Sequence, residues 1–473
     1  MDFFNKMFKS NSRNMETAAS SDPQESNDKT DVENKEDSFF DFELPVPTRC
    51  VTVLIVGGGS RGTVYSYFAV NFPKRMKVVG VVDPRSCVKE KFKTVHDIDE
   101  DKYFDDWKEA AEMEKFAGAV VIATPDRLHK DPAVAFAKKG YHILLEKPMA
   151  VTPEDCHEIV ETCKESGVML AVGHVLRYHP SSQKIKELID AGVIGDVVHI
   201  QHLEPVGHWH FAHSFVRGNW GKESESTFTL MSKSCHDIDL VCYWMGKNRC
   251  LKVSSFGTLS HFTKENKPKD ASSRCLDCSV EETCPYSVQK IYLKYAQQGC
   301  FSWPTSVVCS NGVYDIESLT EALRTGPYGR CVYDCDNDVC SNQVVNMEFE
   351  GGRTVAFTMM GFTQALGVRS TTIYGSKGEL RCHGGKTIEV FDFATSKQTT
   401  HNVRKAAFIP PFLGGHEGSD YFLMDAFISA VADNDPSLIQ TGPDDTLRSH
   451  LLVFHAEKSR KESTVVHLDN DRA

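Results

Sequence analysis

Residues 51–62 read VTVLIVGGGSRG, and this stretch decides the fold. Val51–Val56 is an unbroken run of branched aliphatic residues, as in a strand buried on both faces of a parallel sheet. Three glycines follow at once, and Gly57, Gly59 and Gly62 fit G-x-G-x-x-G. The next residues, Thr63–Phe72, read as a helix. In this strand–turn–helix setting the glycines point to a dinucleotide site. Gly57 allows the tight turn, Gly59 the approach of a pyrophosphate, and Gly62 close helix–strand packing. Ser60 and Arg61 complete the turn, where free N–H groups and the helix dipole favour an anion.

Working outward, Met76–Asp83 reads as a second buried strand, and Ala117–Thr124, Tyr141–Leu145 and Val168–Val172 as three more. Helical spacing in Leu128–Lys139 and Pro153–Ser166 separates them. Strands alternating with helices imply right-handed crossovers and a parallel sheet. Asp83 lies 21 residues after Gly62. A carboxylate there binds both ribose hydroxyls and repels a 2′-phosphate, which favours NAD over NADP; nearby Arg85 softens that preference. After about residue 195 strand-like segments recur without a helix between each pair: Val197–His202, Lys252–Gly257, Val344–Phe349, Thr354–Met360, Thr371–Gly375 and Thr387–Phe391. The expected architecture is α/β followed by α+β: an N-terminal Rossmann dinucleotide-binding domain, residues 48–175, and a C-terminal domain with an open, mainly antiparallel β-sheet, residues 176–465.

The whole chain has 473 residues and a net charge of −12. That acidity argues against nucleic acid as a partner, because phosphate contacts need clustered cations. No apolar run approaches the roughly 18–20 residues that span a membrane. Residues 1–47 carry five Lys/Arg and eleven Asp/Glu, half of the net charge, and read as a disordered acidic tail. The start lacks the apolar core of a signal peptide. The expected compartment is the cytoplasm, where the sixteen cysteines should be reduced.

Three further strings carry the chemistry: Thr124-Pro125-Asp126 with His129, Glu146-Lys147-Pro148, and His236 within SCHDIDLVCYWMG. With the glycine turn, they resemble the Gfo/Idh/MocA oxidoreductases over roughly residues 50–460. The resemblance implies oxidation of a hydroxyl on a sugar, cyclitol or related polyol, and association into a dimer or tetramer through the open sheet. It places Thr124, Pro125, His129, Glu146, Lys147 and Arg177 near the cofactor and makes His236 the proton acceptor. The residue types agree. A neutral imidazole can take the alcohol's proton near pH 7, and Lys147 can hold the hydroxyl and stabilise charge on its oxygen. Many relatives carry Asp four residues before this histidine; here the position is Ser232. Lys233 is therefore a candidate substrate contact, and Asp237 or Asp239 a partner for His236. His213, Asn219 and Trp220 are candidate pocket residues, with Trp offering a stacking face.

Cys275, Cys278 and Cys284 are closely spaced in a polar segment, and Cys331 and Cys335 follow about 50 residues later. Three thiols plus a fourth from a distant loop suit a structural zinc site, which would staple an insertion, residues 264–340, with little core of its own. Two other functions compete with net dehydrogenation: an enzyme that retains NAD and cleaves a sugar bond without net redox, and a non-catalytic NAD(H)-binding regulator.

Overall fold

The structure is a computed structural model that describes residues 32–35, 49–309, 312–403 and 409–468. Most of the acidic tail lies outside these residues. The exception is a short strand, β1 (Val32–Lys35), which the reading of the tail as disordered did not foresee.

The first sheet contains β2 (Val51–Val56), β3 (Met76–Val82), β4 (Tyr103–Phe104), β5 (Ala119–Ile122), β6 (His142–Leu145) and β7 (Leu170–Val172). Their order is β4-β3-β2-β5-β6-β7, and every pair is parallel. Val53, Leu54, Ile55 and Val56 are all 0% exposed, as are Ala119–Ile122. Burial of each such aliphatic side chain stabilises by about 1.5–3 kcal/mol. Helices Ser60–Asn71, Lys130–Lys138 and Pro153–Glu165 cross over between strands. The last starts with Pro153 behind the Thr152 cap, whose hydroxyl accepts from Asp155 N, and Gly167 follows it at φ +64. The strand order reverses between β2 and β5, which opens a crevice at their carboxyl ends.

The second sheet contains β8 (Val197–Pro205), β9 (Cys250–Thr258), β10 (Asn342–Phe349), β11 (Arg353–Met360), β12 (Ser370–Gly375), β13 (Gly378–His383), β14 (Thr387–Asp392), β15 (Lys397–Asn402) and β16 (Val466–His467). With β1 at its edge the order is β1-β15-β14-β13-β12-β8-β11-β10-β9-β16. Seven of its nine pairs are antiparallel; β11–β8 and β1–β15 are parallel. Along β10, Gln343, Val345, Met347 and Phe349 point inward while Val344 and Asn346 face out, the period of a half-buried strand. One inner-side neighbour is helix Cys235–Met245, which packs on β8.

The chain then returns to the first domain. Helix Ser419–Asp433 packs on Ser60–Asn71, with Phe68 stacked on Tyr421, and Pro443–Glu462 packs on Pro153–Glu165. These helices join the two sheets through one continuous apolar core.

The insertion departs from expectation. It has its own apolar core, in which Val288, Ile291, Tyr292, Leu319 and Leu323 are buried. Helix Ile316–Thr325 supplies part of it, capped by Asp315, whose carboxylate accepts from Ser318 N.

Candidate active site

The register of the parallel sheet gathers the expected residues. Val56 pairs with Val82 and Ile122, and Ile122 with Leu145. The residues that follow, Gly57, Asp83, Ala123–Thr124 and Glu146–Lys147, therefore emerge along one carboxyl edge. Gly57 has φ +90, and a Cβ there would lie 2.5 Å from the Ala123 carbonyl oxygen; one on Gly62 would lie 2.0 Å from the Gly57 oxygen. Among the described residues, the one non-neighbouring atom within 4 Å of a Cβ built on Gly59 is Nη2 of Arg85, at 3.4 Å. The turn is thus closed beneath and open above, at a helix N-terminus where Ser60 is exposed. This shape suits a pyrophosphate. Asp83 is 2% exposed, and Arg85 holds both its oxygens, Nε at 2.8 Å and Nη2 at 2.7 Å.

Around the crevice, His129 ties two loops together: its ring nitrogens face the carbonyls of Pro148 at 2.7 Å and Thr124 at 2.9 Å. Both nitrogens are thereby engaged with protein. The Thr124 hydroxyl donates to Leu128 O, and Pro125 leads into the turn bearing Asp126. Glu146 accepts from Arg61 Nε and Tyr65 Oη, each at 2.6 Å, and from the Lys147 N–H at 2.9 Å. Arg61 also donates to both oxygens of buried Asp420, at 2.9 and 2.8 Å. It is an inter-domain pillar beneath Lys147. Burial would push the Glu146 carboxyl up, but Arg61 and Lys147 outweigh it and hold it below the usual range. Lys147 Nζ donates to the Ser232 carbonyl across 2.6 Å.

His236 stands in the first turn of helix Cys235–Met245, 6% exposed. Its ring meets that of His174 edge-on at 5.4 Å and that of His416 at 6.3 Å. Burial and the cations around it, Lys147 first among them, hold its pKa well below the ordinary imidazole value, so it is a neutral base at pH 7. The Ser232 hydroxyl bonds back to Phe228 O and Thr229 O within its own helix and supplies no carboxylate. Asp237 does not orient His236 either. It accepts from Arg369 Nε at 2.6 Å and faces His202 Nε2 at 3.1 Å. Lys233 and Arg369 flank buried Glu204 at 3.1 and 3.0 Å. This largely buried cluster adjoins His236 through Asp237, and its Glu204, His202 and Arg369 carried no motif in the sequence.

Other candidates lie elsewhere. Arg177 is 2% exposed and clasps Asp239 through Nε at 2.6 Å and Nη2 at 2.8 Å, with Nη1 on Gln440 O. It serves the packing of the second domain, not the cofactor edge. His213 is buried in the insertion's aromatic cluster, bonded to Tyr292 Oη at 2.8 Å and stacked on Tyr328. Trp220 Nε1 donates to Asp126 at 3.1 Å, which ties the second domain to the first, and Asn219 is exposed.

A zinc site is not supported. Cys275, Cys278, Cys284 and Cys331 do line one small cavity. Among the described residues, however, no group of three or more His, Cys, Asp or Glu is arranged to hold a metal ion. Arg217 Nη2 donates to Cys275 Sγ at 3.1 Å. Burial pushes the Cys275, Cys284 and Cys331 thiols up and Cys335 to about 11.

A parallel sheet of dinucleotide-binding order, an open glycine turn and a lysine beside a neutral imidazole define a two-domain nicotinamide-dependent oxidoreductase. The chain belongs to the Gfo/Idh/MocA family: residues 51–174 match its NAD-binding Rossmann fold and residues 186–468 its C-terminal alpha/beta domain. Among its relatives is YteT of Bacillus subtilis (strain 168), 26% identical over 323 residues, 65% of this chain and 71% of YteT. Another is the 2,7-anhydro-N-acetylneuraminate hydratase of Escherichia coli (strain K12), 29% identical over 218 residues, which are 45% of this chain and 55% of the hydratase. In fold the chain is similar to the WlbA dehydrogenase of Bordetella pertussis, solved with NADH and UDP-GlcNAcA, with a TM-score of 0.63 and 18% identity over 90% of this chain and 100% of that one. Among the described residues no helix is long and apolar enough to cross a membrane.

Proposed function

We propose that this chain moves a hydride between NAD and a hydroxyl of a sugar, cyclitol or related polyol. The observation that carries the reading is the placement of Lys147, at the carboxyl edge of the parallel sheet, beside the neutral imidazole of His236. A bound nicotinamide supplies the hydride acceptor. Lys147 holds the substrate hydroxyl and stabilises negative charge on its oxygen. His236 takes its proton. Asp83 favours NAD, and the Arg85 guanidinium over Gly59 makes NADP the alternative cofactor. Residues 48–175 serve the cofactor; residues 176–465 supply the substrate wall, with Lys233 on the Glu204 side.

The reading includes a cytosolic setting, in which the chain's sixteen cysteines stay reduced. It also includes self-association through the outer face of the second sheet, where Phe256, 65% exposed, pairs in register with Val344. A screen of sugars and polyols with NAD and NADP, read by absorbance of the reduced nicotinamide, tests the function. The hydratase relative gives weight to a second reading, transient oxidation with NAD retained and no net redox. In that case product forms while no reduced nicotinamide accumulates.

A further inference from the structure

His236 is placed to accept a proton but not to release it. It is 6% exposed, its Nδ1 is buried with no hydrogen-bond partner among the described residues, and Lys147, Arg369 and His174 crowd it with positive or potentially positive groups. A base in such surroundings must pass its proton on before the next turnover. Of the imidazoles in ring contact with it, His174 is 0% exposed, whereas the His416 side chain is 43% exposed.

His416 is itself held in place. Its Nδ1 lies 3.1 Å from Oδ1 of Asp420, a carboxylate that is 0% exposed and bonded to Arg61. An ionised carboxylate only accepts, so Nδ1 carries the hydrogen and Nε2 keeps its lone pair. His416 and Glu417 are consecutive non-glycine residues in the left-handed region, at φ 50 and φ 57. Such backbone persists where surrounding contacts fix it, and it clusters at functional sites. Glu417 reaches His179 at 3.2 Å on the solvent side.

We propose that His416, oriented by Asp420, is the proton outlet of the active site. The inference rests on the reading of His236 as base given above. Oxidation breaks a C–H bond, whose electron pair leaves with the hydrogen as hydride to NAD, and an O–H bond, whose proton goes to His236 as the carbonyl forms. That proton passes from His236, through one bridging water between rings whose centroids are 6.3 Å apart, to Nε2 of His416 and then to bulk water, which restores the neutral base. The pair also supplies the carboxylate–imidazole arrangement that Ser232 cannot make.

His416→Asn tests the outlet, because Asn tolerates the left-handed backbone. With NAD and a polyol found by the screen, kcat should fall by about 10²-fold, the low end of acid–base effects. The solvent isotope effect should rise, and added free imidazole should restore the rate in a concentration-dependent manner. In the cofactor-free protein, nitrogen-15 NMR should find His416 protonated at Nδ1 and bare at Nε2 near pH 8. Full kcat in His416→Asn, a loss that imidazole does not restore, or the opposite tautomer would each overturn the outlet. Full activity in His236→Asn, or no polyol oxidation by the unmutated protein, would show instead that the underlying reading failed, and the outlet falls with it.

Discussion

The Nζ of Lys147, on the sheet-edge loop of the first domain, donates to the backbone carbonyl of Ser232 in the second, across 2.6 Å. The residue expected to hold the substrate hydroxyl is therefore positioned by both domains at once, and a shift of one against the other displaces it. A misplacement of about 1 Å can cost about 10²-fold in rate.

Lys147→Ala and His236→Asn should each lower kcat by about 10²–10⁴-fold, the range of acid–base and electrostatic help. NAD affinity, measured by calorimetry, should change little, because the glycine turn is untouched. Near-wild-type kcat in either variant would remove that residue from the chemistry.

Arg61→Ala should destabilise the fold. It strips the partner from Glu146 and Asp420, whose side chains are 7% and 0% exposed. Removal of one partner from such a buried pair typically costs about 3–5 kcal/mol. Urea unfolding should show a midpoint well below that of the unmutated protein, and an unchanged midpoint would contradict the pillar role.

Cofactor choice should turn on the Asp83–Arg85 pair. Asp83→Ala should narrow the gap between NAD and NADP, and Arg85→Ala should widen it by removing the guanidinium that meets a 2′-phosphate. Titration of both cofactors by calorimetry checks this. Tighter binding of NADP by the unmutated protein would reverse the assignment.

Stability should decline on mild acidification. Burial, with His174 nearby, holds His450 at about 3, and burial, with Arg217 nearby, holds His213 at about 3. The unfolded imidazole titrates near 6.5. Below about pH 6.5 the unfolded chain takes up protons that the folded chain refuses, so stability is full above that pH and lost as pH falls toward 3. Each such histidine costs up to about 1.4 kcal/mol per pH unit in that window. Unfolding at pH 7, 6 and 5 should show steady loss, and a flat profile would contradict neutral burial.

The first sheet was legible because its strands are buried on both faces and read as continuous aliphatic runs, VTVLIV above all. Most strands of the second sheet were legible from alternation. Gly378–His383 and Lys397–Asn402 were missed because GELRCH and KQTTHN are largely polar. Asp83 and Lys147 could be placed from sequence because each follows a strand whose register sets the carboxyl edge of the sheet. Residues assembled from distant segments were not: Glu204, Arg369, Asp420 and His416 meet the site only through folding. Arg61 was read as a cofactor contact, because nothing local announces that Asp420, 359 positions away, will claim it. The cysteine spacing suggested metal, and what it could not reveal was Arg217 lying against Cys275.

The most direct test of the central claim follows the hydride itself. A polyol substrate deuterated at the carbon to be oxidised should be incubated with the protein and NAD, and the nicotinamide examined by mass spectrometry. Deuterium should appear on the released reduced cofactor, with none lost to water at that step. Product formation with unlabelled cofactor and deuterium retained in the product, or lost to solvent, would contradict net hydride transfer to NAD.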